Sequence, residues 1–302
     1  WNTRELLARA LDSLRPEVER GRADVWVVDN ASEDGSREMV AERYQWVRLL
    51  ASEENLGFGR AVNLVARQTS SPWFASANAD VALHPGALEA LLVAGARDPQ
   101  AGALAPRLVL PDGSTQHSVF AFPTIAYSFL LATATYRLSA RLADRLAFVG
   151  HWDSDRERRV PWAIAAFLLF RREAFDAVGG FDERQWMYAE DLDIGWRLDR
   201  AGRPTRYVPD AHVDHESAAS TVQAFGDELA PVWQRSTYGF LARRRGVAYA
   251  RAVAALNLFG ALWRWARMVL RRADPGLRGA HWRWVLVHAR ALRDGPRLRT
   301  LR

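Results

Sequence analysis

Cysteine is absent from all 302 residues, so this chain can form neither a disulfide nor a thiolate metal site, although cysteine-free chains occur in every compartment. Lysine is absent as well. All 41 basic residues are arginine, which removes Schiff-base chemistry and the phosphate-loop lysine together. No window reaches the roughly 18 uninterrupted apolar residues of a membrane-spanning helix. The sequence opens on Trp1 rather than Met, so its natural start is expected to lie upstream, and a signal peptide cannot be read from it. No repeat and no low-complexity segment occurs.

What is present is a globular composition, 49% hydrophobic, long enough for one large α/β domain or two smaller ones. The net charge of +6 conceals an asymmetry. Residues 1–240 carry 26 Arg against 33 Asp and Glu, and residues 241–302 carry 15 Arg against 2 Asp. A basic tail beside an acidic domain points to an anionic surface as partner.

Hydrophobic periodicity predicts an opening helix through Leu6, Leu7, Ala10, Leu11 and Leu14, capped by Asn2 with Glu5 three residues on. Strands are predicted at Val25–Val28, Val47–Leu50 and Trp73–Ala77, alternating with helices at 36–43 and 58–67. That alternation predicts a mostly parallel, Rossmann-like sheet with helices on both faces, and puts ligands beyond the carboxyl ends of its strands, where Asp29 and Asp80 fall. The Pro111-Asp112-Gly113-Ser114 turn opens an irregular section, 115–160, with an apolar stretch at 125–149 and a charged loop at 153–159. This section reads as an acceptor-facing insertion. A continuous apolar strand, Trp162–Phe170, leads into a helix at 172–178, an acidic helix from about 190 to 201, and a late strand at Thr205–Val208 before His212 and His215.

Several motifs co-occur in order: Asp29-Asn30-Ala31-Ser32, Asn55-Leu56-Gly57 through Asn63, Asn78-Ala79-Asp80, Pro106-Arg107-Leu108 with Asp112-Gly113-Ser114 and Gln116, Gly179-Gly180-Phe181-Asp182-Glu183, and Tyr188-Ala189-Glu190-Asp191. Together, over roughly residues 1–245, they resemble the inverting glycosyltransferases of family 2, which have the GT-A fold, and in particular the rhamnosyltransferase-like branch. Gly57-Phe58-Gly59 begins like a dinucleotide fingerprint, but Val62 occupies the third glycine position and the motif does not directly follow the first strand, so a dehydrogenase is excluded. The resemblance also puts a central strand of the sheet ahead of Trp1.

The resemblance implies a nucleotide-sugar site built from Asp29, Asn30, Ser32, Asn55, Gly57, Asn63, Asn78 and Asp80, with Asp29 accepting a hydrogen bond from the N3–H of uracil or thymine. Asp80 is implied to ligate Mg²⁺ or Mn²⁺ together with diphosphate oxygens and waters, as a hard cation prefers, and His215 to supply a further metal ligand. Asn78 replaces the first acid of the stricter metal motif. Asp191 is the candidate general base that deprotonates the acceptor hydroxyl, with Glu190 orienting the acceptor or raising the base's pKa by like-charge proximity. Trp162 and Tyr188 are implied to face the acceptor, although Pro161 replaces the acid that often precedes this Trp and Ala165 stands where glycine is usual.

On the residues alone, plainer readings stay open: a turn or cap for Asp29, a structural turn for Asn78-Ala79-Asp80, dipole-favoured N-terminal charges for Glu190, Asp191 and Asp193, and a surface histidine at 215. Two domains are expected, 1–245 as the GT-A domain and 246–302 as an amphipathic, Arg- and Trp-rich helical tail. In the tail, Leu258, Phe259, Leu262, Trp265, Ala266, Val269 and Leu270 share one face and Arg264, Arg267 and Arg271 the other. Trp282, Val285, Leu286 and Ala289 repeat the pattern against Arg283, Arg290 and Arg293. Such faces either lie on an anionic membrane or pack against the catalytic domain; nucleic acid is disfavoured because the acidic domain would repel a phosphate backbone.

The combined expectation is a metal-dependent, inverting glycosyltransferase, peripheral on the inner face of the plasma membrane. It would move a sugar, with rhamnose from dTDP the leading donor, to a hydroxyl on a glycan or polyprenyl-linked acceptor in cell-surface polysaccharide synthesis. The alternatives are a sugar nucleotidyltransferase, which normally uses a glycine-rich loop with Arg and Lys, and a GT-A domain that binds nucleotide-sugar or glycan without turnover.

Overall fold

A computed structural model describes residues 1–216 and 229–294. The chain forms two compact units, one from Trp1–Phe120 with Asp153–Gly226 and the other from Ala121–Trp152 with Asp227–Arg302. The apolar stretch inside the expected insertion therefore belongs with the C-terminal helices, as does 227–245.

In the first unit α1 (Arg4–Glu19) leads to β1 (Trp26–Asn30), α2 (Ser36–Arg43), β2 (Arg48–Ser52), α3 (Phe58–Ala66), β3 (Trp73–Ala77), β4 (Val81–Leu83), α4 (Ala87–Arg97), β5 (Ala103–Val109) and β6 (Val119–Phe120). After the excursion come β7 (Arg158–Val160), β8 (Trp162–Ala163), β9 (Phe167–Arg171), α7 (Arg172–Ala177), α8 (Glu190–Arg200) and β10 (Thr205–His215). The helix start is not capped as expected. Thr3 is the N-cap residue and makes no capping bond; the Asn2 side-chain oxygen instead accepts from the Glu33 N–H at 2.9 Å, and the Asn2 N–H donates to Ser32 Oγ at 3.1 Å.

Strands β1 and β2 pair in parallel. A six-stranded sheet runs β3-β9-β5-β10-β4, with β7 also on β10. Only β5 and β10 are parallel in it; the pairs made by β9, β4 and β7 are antiparallel, so this sheet is mixed rather than mostly parallel. The reason lies in the connections: β3 reaches β4 by a short turn, and β9 arrives after a long excursion rather than a crossover helix, so neither is held to the parallel sense.

The sheet is apolar on both faces because both are covered. Phe167 and Leu169 of β9 join Leu91 and Ala94 of α4, with Leu104, Leu108 and Val213, in the main core. Phe170, one residue on, faces an aromatic cluster with Phe74, Phe175 and Phe181, at ring separations of 5.2 to 5.8 Å. The expected unbroken strand Trp162–Phe170 is interrupted at 164–166, between β8 and β9. That interruption positions the site described below.

In the second unit α5 (Ile125–Thr133), a 3₁₀ turn (Thr135–Leu138) and α6 (Ala140–Arg145) pack with three longer helices, α9 (Leu229–Arg244), α10 (Val247–Leu270) and α11 (Pro275–Asp294). Gly260 of α10 lies so close to α5 that a β-carbon there would sit 2.6 Å from Ala132 Cα. Arg264, expected on the solvated face, is half-buried, and its guanidinium reaches the Leu131 carbonyl at 3.4 Å. Trp265 and Trp282 meet at 4.9 Å between α10 and α11, and Val285 is buried. Part of each amphipathic face is thus internal to this unit. Phe259, Leu262, Trp263, Leu270, Leu277, Trp282 and Leu286 remain exposed. No helix among the described residues is long and apolar enough to cross a membrane.

Candidate active site

The acidic pair enters α8 through strained backbone. Tyr188 and Ala189 both have φ of +62°, and neither is glycine. Each such residue costs roughly 1 to 3 kcal/mol and persists where surrounding contacts dictate it. Those contacts come from the segment assigned by resemblance to the nucleotide. Asn63, 5% exposed, donates to the Phe181 carbonyl at 2.9 Å and to Glu183 Oε1 at 3.1 Å, while its oxygen accepts the Phe181 N–H at 2.9 Å. With both amide hydrogens and its oxygen engaged by Phe181 and Glu183, Asn63 braces the loop. Trp186 Nε1 donates to the Asn55 carbonyl at 3.2 Å, and the Asn55 side chain closes a turn on the Gly57 N–H at 3.0 Å. Gly57 has φ of +76°, and a β-carbon there would overlap the Trp186 carbonyl oxygen. Asn55, Gly57 and Asn63 thus clamp the loop that delivers Glu190 and Asp191.

Glu190 is buried, and its Oε2 has no hydrogen-bond partner among the described residues. Burial, reinforced by the Asp191 charge, pushes its carboxyl far above the ordinary range. Burial also raises Asp191, opposed by the N–H groups of Leu192 and Ala165 that donate to its carboxylate; the Leu192 bond is 2.7 Å long. Asp193 has a different role. It is 1% exposed and pairs with Arg197 at 2.7 Å, and Arg197 in turn holds the carbonyls of Val178 and Gly180, both at 2.6 Å.

The second acidic site meets the first over one short segment. The Asn78 N–H donates to the Ala166 carbonyl at 2.8 Å, next to the Ala165 N–H that serves Asp191. Two residues on, Asp80 is 8% exposed, and its carbonyl accepts the Glu216 N–H at 3.1 Å. Its Oδ1 lies 3.5 Å from His215 Nε2. Pairing of β4 with β10 brings His215 opposite Val81. Period-two alternation turns His212 and Asp214 the other way, where Asp214 meets His84 at 2.7 Å.

Asp29 is 6% exposed and accepts the Ser32 N–H at 3.2 Å. Asn30 donates to the Gly57 carbonyl at 3.4 Å. Tyr188 is half-buried, two residues ahead of Glu190. Trp162 is 3% exposed, stacked on Phe120 at 4.8 Å, and α8 rests on it at Gly195, where a β-carbon would lie 2.5 Å from Trp162 Cβ. It supports α8 and offers no open face to an acceptor. Residues 217–228, which follow β10 and Glu216, lie outside the described residues.

No three His, Cys, Asp or Glu side chains converge as a metal cage among the described residues. Asp80 and His215 nevertheless fit a cation that takes most of its ligands from diphosphate and water. Both are buried, and His215 Nε2 has no hydrogen-bond partner among the described residues.

The profile described as "Glycosyl transferase family 2" matches residues 1–131, and "Glycosyl transferase family group 2" matches residues 113–292. An N-acetylglucosaminyl-diphospho-decaprenol L-rhamnosyltransferase of Mycobacterium tuberculosis is 38% identical over 280 residues, covering 88% of this chain and 89% of that one. The chain belongs to glycosyltransferase family 2. Rhamnosyltransferase WbbL of Escherichia coli K12 is 37% identical over 87 residues, 28% of this chain and 32% of its own. A mannosyltransferase from Pyrobaculum calidifontis solved with GDP-Man and Mn²⁺ superposes with a TM-score of 0.59 at 18% identity, covering 97% of this chain and 82% of that one. GalNAc-T7 with UDP, GalNAc and Mn²⁺ gives 0.53 at 15% identity, covering 78% and 48%. These likenesses fix the GT-A fold, and family membership makes the chain a glycosyltransferase of the rhamnosyltransferase-like branch.

Proposed function

We propose that this family 2 enzyme transfers rhamnose from dTDP-rhamnose, with inversion, to a hydroxyl of a polyprenyl-diphosphate-linked N-acetylglucosamine. The observation that carries the reading is the meeting of two acidic centres over Ala165 and Ala166, one at Asn78 to Asp80 and the other at Asp191. The acceptor class rests on the extent of similarity to the mycobacterial rhamnosyltransferase.

Asp29 takes the N3–H of the thymine ring, with Asn30 and Ser32 beside it. Asp80 and His215 would hold Mg²⁺ or Mn²⁺, whose charge would offset that of the departing diphosphate. Asp191 removes the acceptor hydroxyl's proton as the oxygen attacks the anomeric carbon from the face opposite the diphosphate. Its raised pKa strengthens it as a base while leaving it ionised near neutrality. Glu190 stays protonated and donates a hydrogen bond to the acceptor, a role consistent with its burial and its unpartnered oxygen.

The acceptor's lipid would place the enzyme at a membrane. The Arg-rich second unit, with Phe259, Leu262, Trp263 and Leu270 exposed on α10, suits an anionic inner leaflet, where each Arg near the surface contributes about 1 kcal/mol. Flotation with phosphatidylglycerol vesicles should carry the protein, and Phe259→Ser with Trp263→Ser should reduce it. Equal flotation of the double variant would remove this part of the reading.

The deciding experiment incubates the purified chain with synthetic polyprenyl-diphospho-GlcNAc and UDP-, dTDP- and GDP-sugars, with Mn²⁺ or with EDTA. Transfer from dTDP-rhamnose giving the inverted anomer by NMR, abolished by EDTA and by Asp191→Asn, is expected. Transfer of a different sugar, or undiminished transfer in EDTA, would overturn the donor or the metal assignment respectively.

A further inference from the structure

The Arg107, Asp112-Gly113-Ser114 and Gln116 pattern marks the rhamnosyltransferase-like branch in sequence but takes no part in the chemistry above. Its geometry gives it one. Beyond β5 the chain turns back on itself: the Leu110 N–H donates to the Ser114 carbonyl at 2.9 Å and the Gly113 N–H to the Leu110 carbonyl at 2.8 Å. Gly113 takes the left-handed φ of +81° that the turn requires, and Asp112 Oδ1 accepts both the Ser114 N–H at 2.9 Å and its hydroxyl at 2.6 Å. The returning strand is stitched to β5 by a bridge between Val109 and Thr115 and by the Gln116 N–H on the Leu108 carbonyl at 2.8 Å.

Gln116 is thereby fixed beside the end of β10, since Leu108 pairs with Val213 and Val109 with Asp214. Arg107 secures the same region. Its guanidinium reaches the Pro209 carbonyl at 3.1 Å, within the irregularity of β10 between Val208 and His212, and Thr115 Oγ1 at 3.4 Å.

The Gln116 side-chain oxygen lies 2.7 Å from His215 Nδ1. An amide oxygen can only accept, so the ring nitrogen facing it carries the proton, and in the neutral imidazole the other nitrogen is left as a lone pair. That other nitrogen, Nε2, is buried, has no hydrogen-bond partner among the described residues, and sits 3.5 Å from Asp80 Oδ1.

We propose that Gln116 is a positioning residue for divalent-cation binding, holding His215 in the Nδ1–H tautomer so that its Nε2 lone pair and the Asp80 carboxylate converge. This rests on Asp80 and His215 forming the cation pair. Outer hydrogen bonds of this kind orient metal-binding imidazoles, and their loss typically weakens metal affinity roughly 10- to 100-fold.

The test uses the full chain with ¹⁵N-labelled histidine, the His215 ring being assigned by the signal lost in His215→Ala, followed by Mn²⁺ titration read from the EPR signal of free Mn²⁺. The ring should show protonated Nδ1 and unprotonated Nε2. Gln116→Leu should mix the tautomers and weaken Mn²⁺ binding about 10- to 100-fold, whereas Gln116→Glu, which keeps an acceptor, should preserve both. If His215→Ala loses Mn²⁺ but Gln116→Leu binds as the parent does, the role of Gln116 is overturned and the cation pair stands. If His215→Ala binds Mn²⁺ normally, the pair itself is overturned and the inference with it. Should Gln116→Leu fail to fold, a parent ring protonated at Nε2 would refute the proposal, as would loss of Mn²⁺ affinity in a folded Gln116→Glu.

Discussion

Gly57 and Trp186 are packed backbone to backbone: a β-carbon on the glycine would lie within 2.8 Å of the indole Cδ1 and closer still to the Trp186 carbonyl oxygen. This contact, 129 residues apart in sequence, ties the turn after β2 to the loop that ends in Glu190 and Asp191.

Gly57→Ala should accordingly displace the loop carrying the acidic pair. Backbone cannot yield as a side-chain tip would, and a shift of about 1 Å in a reacting group can cost on the order of 100-fold in rate. We expect kcat/KM to fall by about that factor with a much smaller change in melting temperature, measured on the same preparation.

Asp191→Asn removes the base and should reduce transfer by about 10²- to 10⁴-fold. In the parent enzyme the base must be ionised, so activity should fall as pH drops, with a midpoint well above the ~4 of a free aspartate. Glu190→Gln keeps a neutral hydrogen-bond donor and should be tolerated far better. A rate–pH profile of the three proteins checks both statements, and equal loss in the two variants would count against the division of roles.

Asn63→Ala should destabilise the first unit by about 2 to 6 kcal/mol, because it strands the N–H and carbonyl of Phe181, each buried polar group costing about 1 to 3 kcal/mol. Urea unfolding measures this. Affinity of the folded fraction for dTDP should be unchanged, which separates a brace from a nucleotide contact.

In the second unit Asn257 donates to the Tyr238 hydroxyl at 3.1 Å, and that hydroxyl shares a 2.7 Å hydrogen bond with His288 Nδ1. Burial, helped by the Arg264 charge, lowers the His288 pKa to about 4 from an ordinary 6.5. The unfolded chain binds a proton more readily, so stability is full above pH 6.5 and is lost as pH falls towards 4, by about 3 kcal/mol. Melting temperature followed from pH 7 to 4 should decline in that window, and His288→Gln should flatten the slope.

The alternation of strands and helices from Trp26 to Ala77 was legible because each element obeys its own period, and Trp73–Ala77 and the 36–43 helix match residue for residue. The break between β8 and β9 was not legible. Residues 164–166 are as apolar as their flanks, and only the tertiary structure gives Ala165 and Ala166 the bonds that draw Asn78 and Asp191 together. Asn55, Gly57 and Asn63 stood out in sequence, but a motif records which residues travel together and not what they touch, and their partners lie more than 110 residues away. The glycine at 57 was a usable signal of close backbone approach. Gln116 was visible only as part of a pattern, because its partner His215 is 99 residues distant.

Ala132 pressed against Gly260 means that the final helices are not a detachable appendage. Severing the chain after Arg245 would strip residues 121–152 of their packing partner, so a truncated protein that failed would report collapse in the middle of the sequence, not the loss of an anchor.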